Sequence, residues 1–138
     1  MIRNIFAVLA GLAVGMVVNQ ALIFLNAFVL YPMPPGTSME DPELFSDYIT
    51  TLPTAAFLVI LAAHLGQSFV GGWVAARIGS SRPMLLAMIV GLFSLAGGVA
   101  MMTIVKGPDW MYIELPLYLV VAWQAGRMEV NRRAALGD

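Results

Sequence analysis

Residues 57–79 read FLVILAAHLGQSFVGGWVAARIG. No charge interrupts this run until Arg77, and it exceeds the roughly 20 apolar residues that a membrane-crossing helix needs. It is the core of a predicted span over 53–76, which Pro53 opens, since proline suits a helix's first turn. Ser68, Gly72, Ala75, Ala76 and Gly79 supply a stripe of small residues, the pattern that lets a second helix approach closely. The chain's one histidine, His64, falls near the middle.

On the N-terminal side, residues 5–30 are broken only by amides and glycines. At helical rise they extend about 39 Å, too long for a signal h-region and long enough for a tilted span. Ala7, Gly11, Gly15 and Asn19 recur every fourth residue, and Asn26 falls close to the same face. Residues 31–52 form the one long polar stretch. Pro32, Pro34, Pro35 and Gly36 end the helix. Asp41-Pro42-Glu43 then reads as a helix start, with an aspartate N-cap and proline at the first helical position. Leu44, Phe45, Tyr48 and Ile49 follow on one side, which predicts a short amphipathic helix on the membrane surface or over the bundle. Glu40, Asp41, Glu43 and Asp47 make this loop acidic. They lack the regular ligand spacing of a calcium loop and read as solvated, helix-capping acids.

On the C-terminal side, a basic turn from Arg77 to Arg82 leads to Pro83 and a predicted span over 84–105. Ala87, Gly91, Ser94 and Gly98 share one face of it, whereas Val90 falls off that face. Lys106-Gly107-Pro108-Asp109 makes a short turn, and a fourth, shorter span covers 110–127. Trp110 and Tyr112 stand at its start, where aromatics favour the headgroup region. Arg3, Arg77, Arg82, Arg127, Arg132 and Arg133 fall on one side of this layout, and Lys106 alone on the other, which accounts for all seven Lys and Arg residues. Such a bias places both termini in the cytoplasm and the acidic loop outside. The expected fold is therefore all-α: an antiparallel four-helix transmembrane bundle in one domain, in a bacterial inner membrane.

Composition agrees with that layout. Hydrophobic residues make up 60% and charged residues 11%, where soluble domains carry about 25% charged residues. Mean hydropathy is +0.85. A net charge of −1 gives no basic surface for nucleic acid. With no cysteine, thiolate metal sites and cysteine nucleophiles are excluded. The run GGWVAARIG (71–79) before a basic turn, the four-span layout and the acidic Pro-rich first loop resemble small bacterial four-helix membrane proteins classed as uncharacterised. The resemblance covers the chain in layout, implies the four-helix bundle, and brings no activity, ligand or catalytic residue.

Four polar residues inside the predicted spans are candidates for a site: His64, Glu114, Asn19 and Asn26. An ionisable group at mid-membrane suggests function by default. The plainer expectation for His64 is a neutral imidazole bonded to a neighbouring amide such as Asn19; a haem ligand opposite a methionine is a remoter one. Glu114, followed by the helix-interrupting Pro116, reads either as an ion or substrate site or as a shallow carboxylate paired with Lys106. Helical rise places His64 and Glu114 about 10 Å apart in depth, so that water or Asn26 would have to bridge them. No catalytic set, metal set or cofactor motif is present. The expected function is non-enzymatic: a multi-pass protein acting by helix association, as a homo-oligomer or an accessory subunit of a larger membrane complex. Its motif is the small-residue stripes, with Gly11, Gly15, Gly72, Gly91 and Gly98 as contact points. The alternative is an oligomeric transporter or proton-coupled channel built on His64 and Glu114.

Overall fold

The computed structural model describes every residue except Lys106 and Asp138. The described chain is all-α, with five α-helices and no strand among the described residues. They are α1 (Ile2–Phe24), α2 (Pro42–Thr51), α3 (Thr54–Ile78), α4 (Pro83–Ile104) and α5 (Glu114–Leu136). Three segments are long and apolar enough to cross a membrane: Ile2–Leu30, Thr54–Ile78 and Pro83–Ile104. Helix α5 is not among them.

The segment boundaries follow local chemistry. Helix α1 continues into a π-helical turn, Leu25–Leu30, in which Tyr31 N–H bonds the Asn26 carbonyl at 2.8 Å. The prolines beyond it prevent further helix. Helix α2 starts as its sequence requires: Asp41 Oδ1 accepts from the N–H groups of Glu43 and Leu44 at 3.0 and 3.2 Å, and Pro42 takes the first position. Its apolar side turns inward, so that Tyr48 and Ile49 pack with Phe57 of α3 and Met111. The Tyr48 hydroxyl donates to the Tyr31 carbonyl at 2.6 Å, and burial pushes the phenol above its ordinary pKa. Helix α2 is thus a cap folded over the helix ends. Arg82, in the left-handed region at φ 51°, makes the turn into Pro83 and α4.

Helix α3 is the centre of the arrangement. It packs against α1, α4 and α5, while α1 meets α4 only at an edge. Helices α3 and α5 run parallel, because their bonded partners rise together: His64 with Glu114, Ser68 with Tyr118, Arg77 with Glu129. Small residues set these approaches. A methyl group on Gly71 would sit 2.6 Å from the Gly11 carbonyl oxygen, and one on Gly15 2.5 Å from that of Gln67. Gly11 faces Gly71 in return, so α1 and α3 cross backbone against backbone. Gly72 lies against Ala87 and Ala125, and Gly98 against the Tyr118 ring.

Two expectations are corrected. Val90, read as off the contact face of α4, is fully buried with Ala7, Ala75 and Leu86. The reason is that α4 is covered on two sides, by α5 and by the α3–α1 pair. The fourth helix does not end near residue 127 but runs to Leu136, closed by Gly137 at φ 76°. Glu129 with Arg132 and Arg133 at i+3 and i+4 carries it through the charged stretch. Before it, Asp109–Ile113 forms a 3₁₀ turn.

Gly91 supplies a direct test of the α4–α5 contact. A β-carbon there would lie 2.5 Å from the Ala122 methyl. Gly91→Leu should lower stability by about 1–3 kcal/mol, the usual cost of overpacking. Leu92→Ala, on the exposed side at 54%, should change it little. Equal loss of thermal stability in detergent for both variants would contradict this contact.

Candidate functional site

Glu114 is the first residue of α5 and only 1% exposed. Its Oε2 lies 2.9 Å from His64 Nδ1, and its Oε1 accepts from the Tyr118 hydroxyl at 3.4 Å. The Tyr118 ring is stacked on the imidazole, with centroids 6.3 Å apart and planes 23° from parallel. One turn further on, Ser68 Oγ donates to the Tyr118 backbone carbonyl at 2.8 Å. His64 and Ser68 are spaced i, i+4 on α3, as Glu114 and Tyr118 are on α5. Two parallel helices with matching polar pairs therefore zip together at one level. His64 keeps 20% of its side chain exposed.

This geometry overturns the expected 10 Å separation of His64 and Glu114. That figure assumed that both helices start at the same height. In fact α5 begins about ten residues lower than α3, and the space above it is filled by the 3₁₀ turn and α2. Glu114 is accordingly buried in the protein beside His64. Its alternative partner, Lys106, lies outside the described residues.

The two amides do not join the pair. Asn19 Nδ2 donates to Gln20 Oε1 at 3.4 Å, and its buried Oδ1 has no partner among the described residues. Asn26 is 3% exposed, with its Oδ1 likewise unpartnered. Ser94 on α4 is a third buried polar group without a partner. In the acidic loop, Asp41 serves as the α2 cap. Among the described residues, no three His, Asp or Glu side chains are placed to hold one metal ion.

A second ionic cluster lies at the opposite end of α3. Glu129, 1% exposed, receives Arg132 through two bonds of 2.6 and 2.8 Å, Arg133 at 2.9 Å and Arg77 at 3.3 Å. Arg133 Nη2 also donates to the carbonyls of Ala76 and Gly79 at 2.7 and 2.8 Å. Arg3 Nε donates to that of Ile78 at 2.8 Å. Two guanidinium groups thus satisfy the free carbonyls at the negative end of α3. Asn4 completes the joint, its Oδ1 accepting from Ser80 N–H at 2.9 Å and its Nδ2 donating to Ser81 at 3.0 Å. In the sequence this region reads as an arginine-rich tail in which Glu129 does not stand out. The i+3 and i+4 spacing of Arg132 and Arg133 was the available signal.

Chemically, one cluster is a carboxyl within hydrogen-bonding distance of an imidazole, and the other is an ionic clasp. Both tie α3 to α5. No family model, curated protein or solved structure matches the chain.

Proposed function

We propose that this chain is a multi-pass integral membrane protein, a four-helix bundle of α1, α3, α4 and α5, that acts by associating with a second copy of itself. On this reading the arginine-rich end faces the cytoplasm and α2 caps the outer side. Helix α5, too polar to insert by composition alone, crosses because its two acids are paired inside against α3.

One observation carries the association: the amide of Gln20. It stands nine residues from Gly11, two and a half turns at about 3.6 residues per turn, and so points directly away from the face that packs on α3. The side chain is exposed, and its NH₂ donates no hydrogen bond among the described residues. In hydrocarbon an amide without a partner is costly. A second copy in the same orientation brings its own Gln20 to the same depth, and each amide is both donor and acceptor. Phe6, Ala10, Ala13, Val17, Gln20 and Phe24 lie along this outward side at alternating spacings of four and three, the pattern of a helix–helix seam. The glycine stripes of the other helices are already used within the monomer, so they are not open to a second copy.

Because the chain has no cysteine, Gln20→Cys introduces a unique thiol. Oxidation in native-like membranes should link it into dimers, and Leu85→Cys, exposed on α4, should stay monomeric. Gln20→Leu should weaken the dimer about tenfold, from a membrane hydrogen bond of about 1–2 kcal/mol. Cross-linking no greater at residue 20 than at 85, or a stable complex with a different chain in its place, would contradict the self-association.

A further inference from the structure

We infer that His64 and Glu114 form a storage site for a single proton, loaded through the imidazole ring and closed toward the arginine-rich end. This inference is independent of the self-association.

The pair meets at 2.9 Å, and only one of the two is open. Glu114 is 1% exposed and the His64 side chain 20%, so whatever reaches the carboxyl from outside the protein passes the ring. The groups facing the pair are few. Tyr118 comes from α5, with its hydroxyl on Oε1. Ser68 from α3 is bonded to backbone. Helix α4 presents Gly98 and no charge. On the α2 side, Phe57 of α3 and Met111 of the 3₁₀ turn pack with the cap and are both apolar. No arginine or lysine among the described residues bonds Glu114.

The loading step follows from the geometry. In the empty state Nδ1–H donates to the carboxylate, and Nε2 carries the free lone pair. A hydronium ion gives its proton to Nε2. The Nδ1–H bond then breaks as the Oε2–H bond forms, leaving a neutral imidazole protonated at Nε2 beside a neutral carboxylic acid. One proton has been taken up, one water released, and the buried charge has fallen from −1 to zero. Unloading is the reverse, through the same nitrogen. Neutralising an otherwise unpaired buried carboxylate is the driving force.

Among the described residues, no ionisable group continues the path between this site and Glu129. Between Tyr118 and Glu129, about 16 Å of helix at 1.5 Å per residue, the buried α5 residues are Ala122, Ala125 and Gly126. They pack on Gly91, Gly72, Met84 and Ala87, and the polar side-chain atom beside Gly91, Ser68 Oγ, is already bonded to the Tyr118 carbonyl. The site therefore stores a proton and does not conduct it.

Infrared difference spectroscopy of the full chain in lipid nanodiscs, after a pH jump, tests this. The wild-type protein should show a protonated-carboxyl C=O band that appears on acidification and is absent from Glu114→Gln. His64→Gln keeps a hydrogen bond to the carboxyl but cannot relay through a ring, so the band should respond about a hundredfold more slowly. Circular dichroism confirms that each variant is folded, and His64→Gln suffices if Glu114→Gln is not. Proteoliposomes under a pH gradient should show no sustained proton flux. A band that ignores pH, one that persists in Glu114→Gln, an unchanged rate in His64→Gln, or a sustained flux abolished by His64→Gln would each overturn the inference.

Discussion

Gly11→Leu should detach α1 from α3. At this crossing the two backbones come into contact, Gly11 against Gly71 and Gly15 against Gln67, with the Ala75 methyl beside Gly11. A leucine cannot be absorbed by rotamer change, because its first carbon already meets a carbonyl oxygen. The whole of α1 must move. The expected loss is at or above the upper end of the roughly 1–3 kcal/mol typical of overpacking. Along its apolar length α1 buries Ala7, Gly11 and Gly15, and beyond them Arg3 and Asn4 tie its start to the end of α3. Ala21→Leu, on an exposed side of the same helix, should leave stability nearly unchanged. Thermal unfolding in a mild detergent compares the two. Similar midpoints would mean that the glycine crossing does not hold α1 in place.

The second large effect belongs to Glu129. Its carboxylate is buried and is the acid that Arg77, Arg132 and Arg133 all share. Glu129→Gln removes the charge but keeps the shape, and leaves three guanidinium groups repelling one another. Breaking a wholly buried pair costs about 3–5 kcal/mol. The arginines retain exposures of 44%, 38% and 18%, so solvent screens part of this and about 2–4 kcal/mol is expected. Denaturant unfolding should show that loss, with added salt narrowing the gap to wild type. Glu43→Gln, on the exposed side of α2, should cost no more than the loss of one first-turn acid, about 0.3–1 kcal/mol. Equal effects of the two glutamines would remove Glu129 from its place as the joint of this end.

How far the sequence reaches can be judged residue by residue. The start of α2 is legible because Asp41, Pro42 and Glu43 state a local rule that needs no partner elsewhere. The long apolar helices are legible because run length and proline positions are also local. The meeting of His64 and Glu114 is not. It depends on how far α5 is set down along α3, and that offset is fixed by Tyr48, Ile49, Phe57 and Met111 filling the space above α5. No residue near Glu114 encodes it. Val90 fails for a related reason: periodicity finds one buried face on α4, and a helix with neighbours on two sides has a wider one. Glu129 was missed because a charged tail looks alike whether its charges meet water or each other. Gln20 is plain in the sequence as an amide, but its outward direction becomes legible only once α3 has taken the Gly11 side.

The central claim is that all four long helices cross the membrane, and α5 is where it is most exposed to failure. Asp47→Cys on α2 and Asn131→Cys near the end of α5 place single thiols at exposed positions in a chain that has no cysteine of its own. Both are treated with a membrane-impermeant thiol reagent in intact cells and again after permeabilisation. Four crossings place these residues on opposite sides, so residue 47 should react in intact cells and residue 131 only after the membrane is opened. Reaction of both from the same side would mean that α5 does not cross, and would contradict the account.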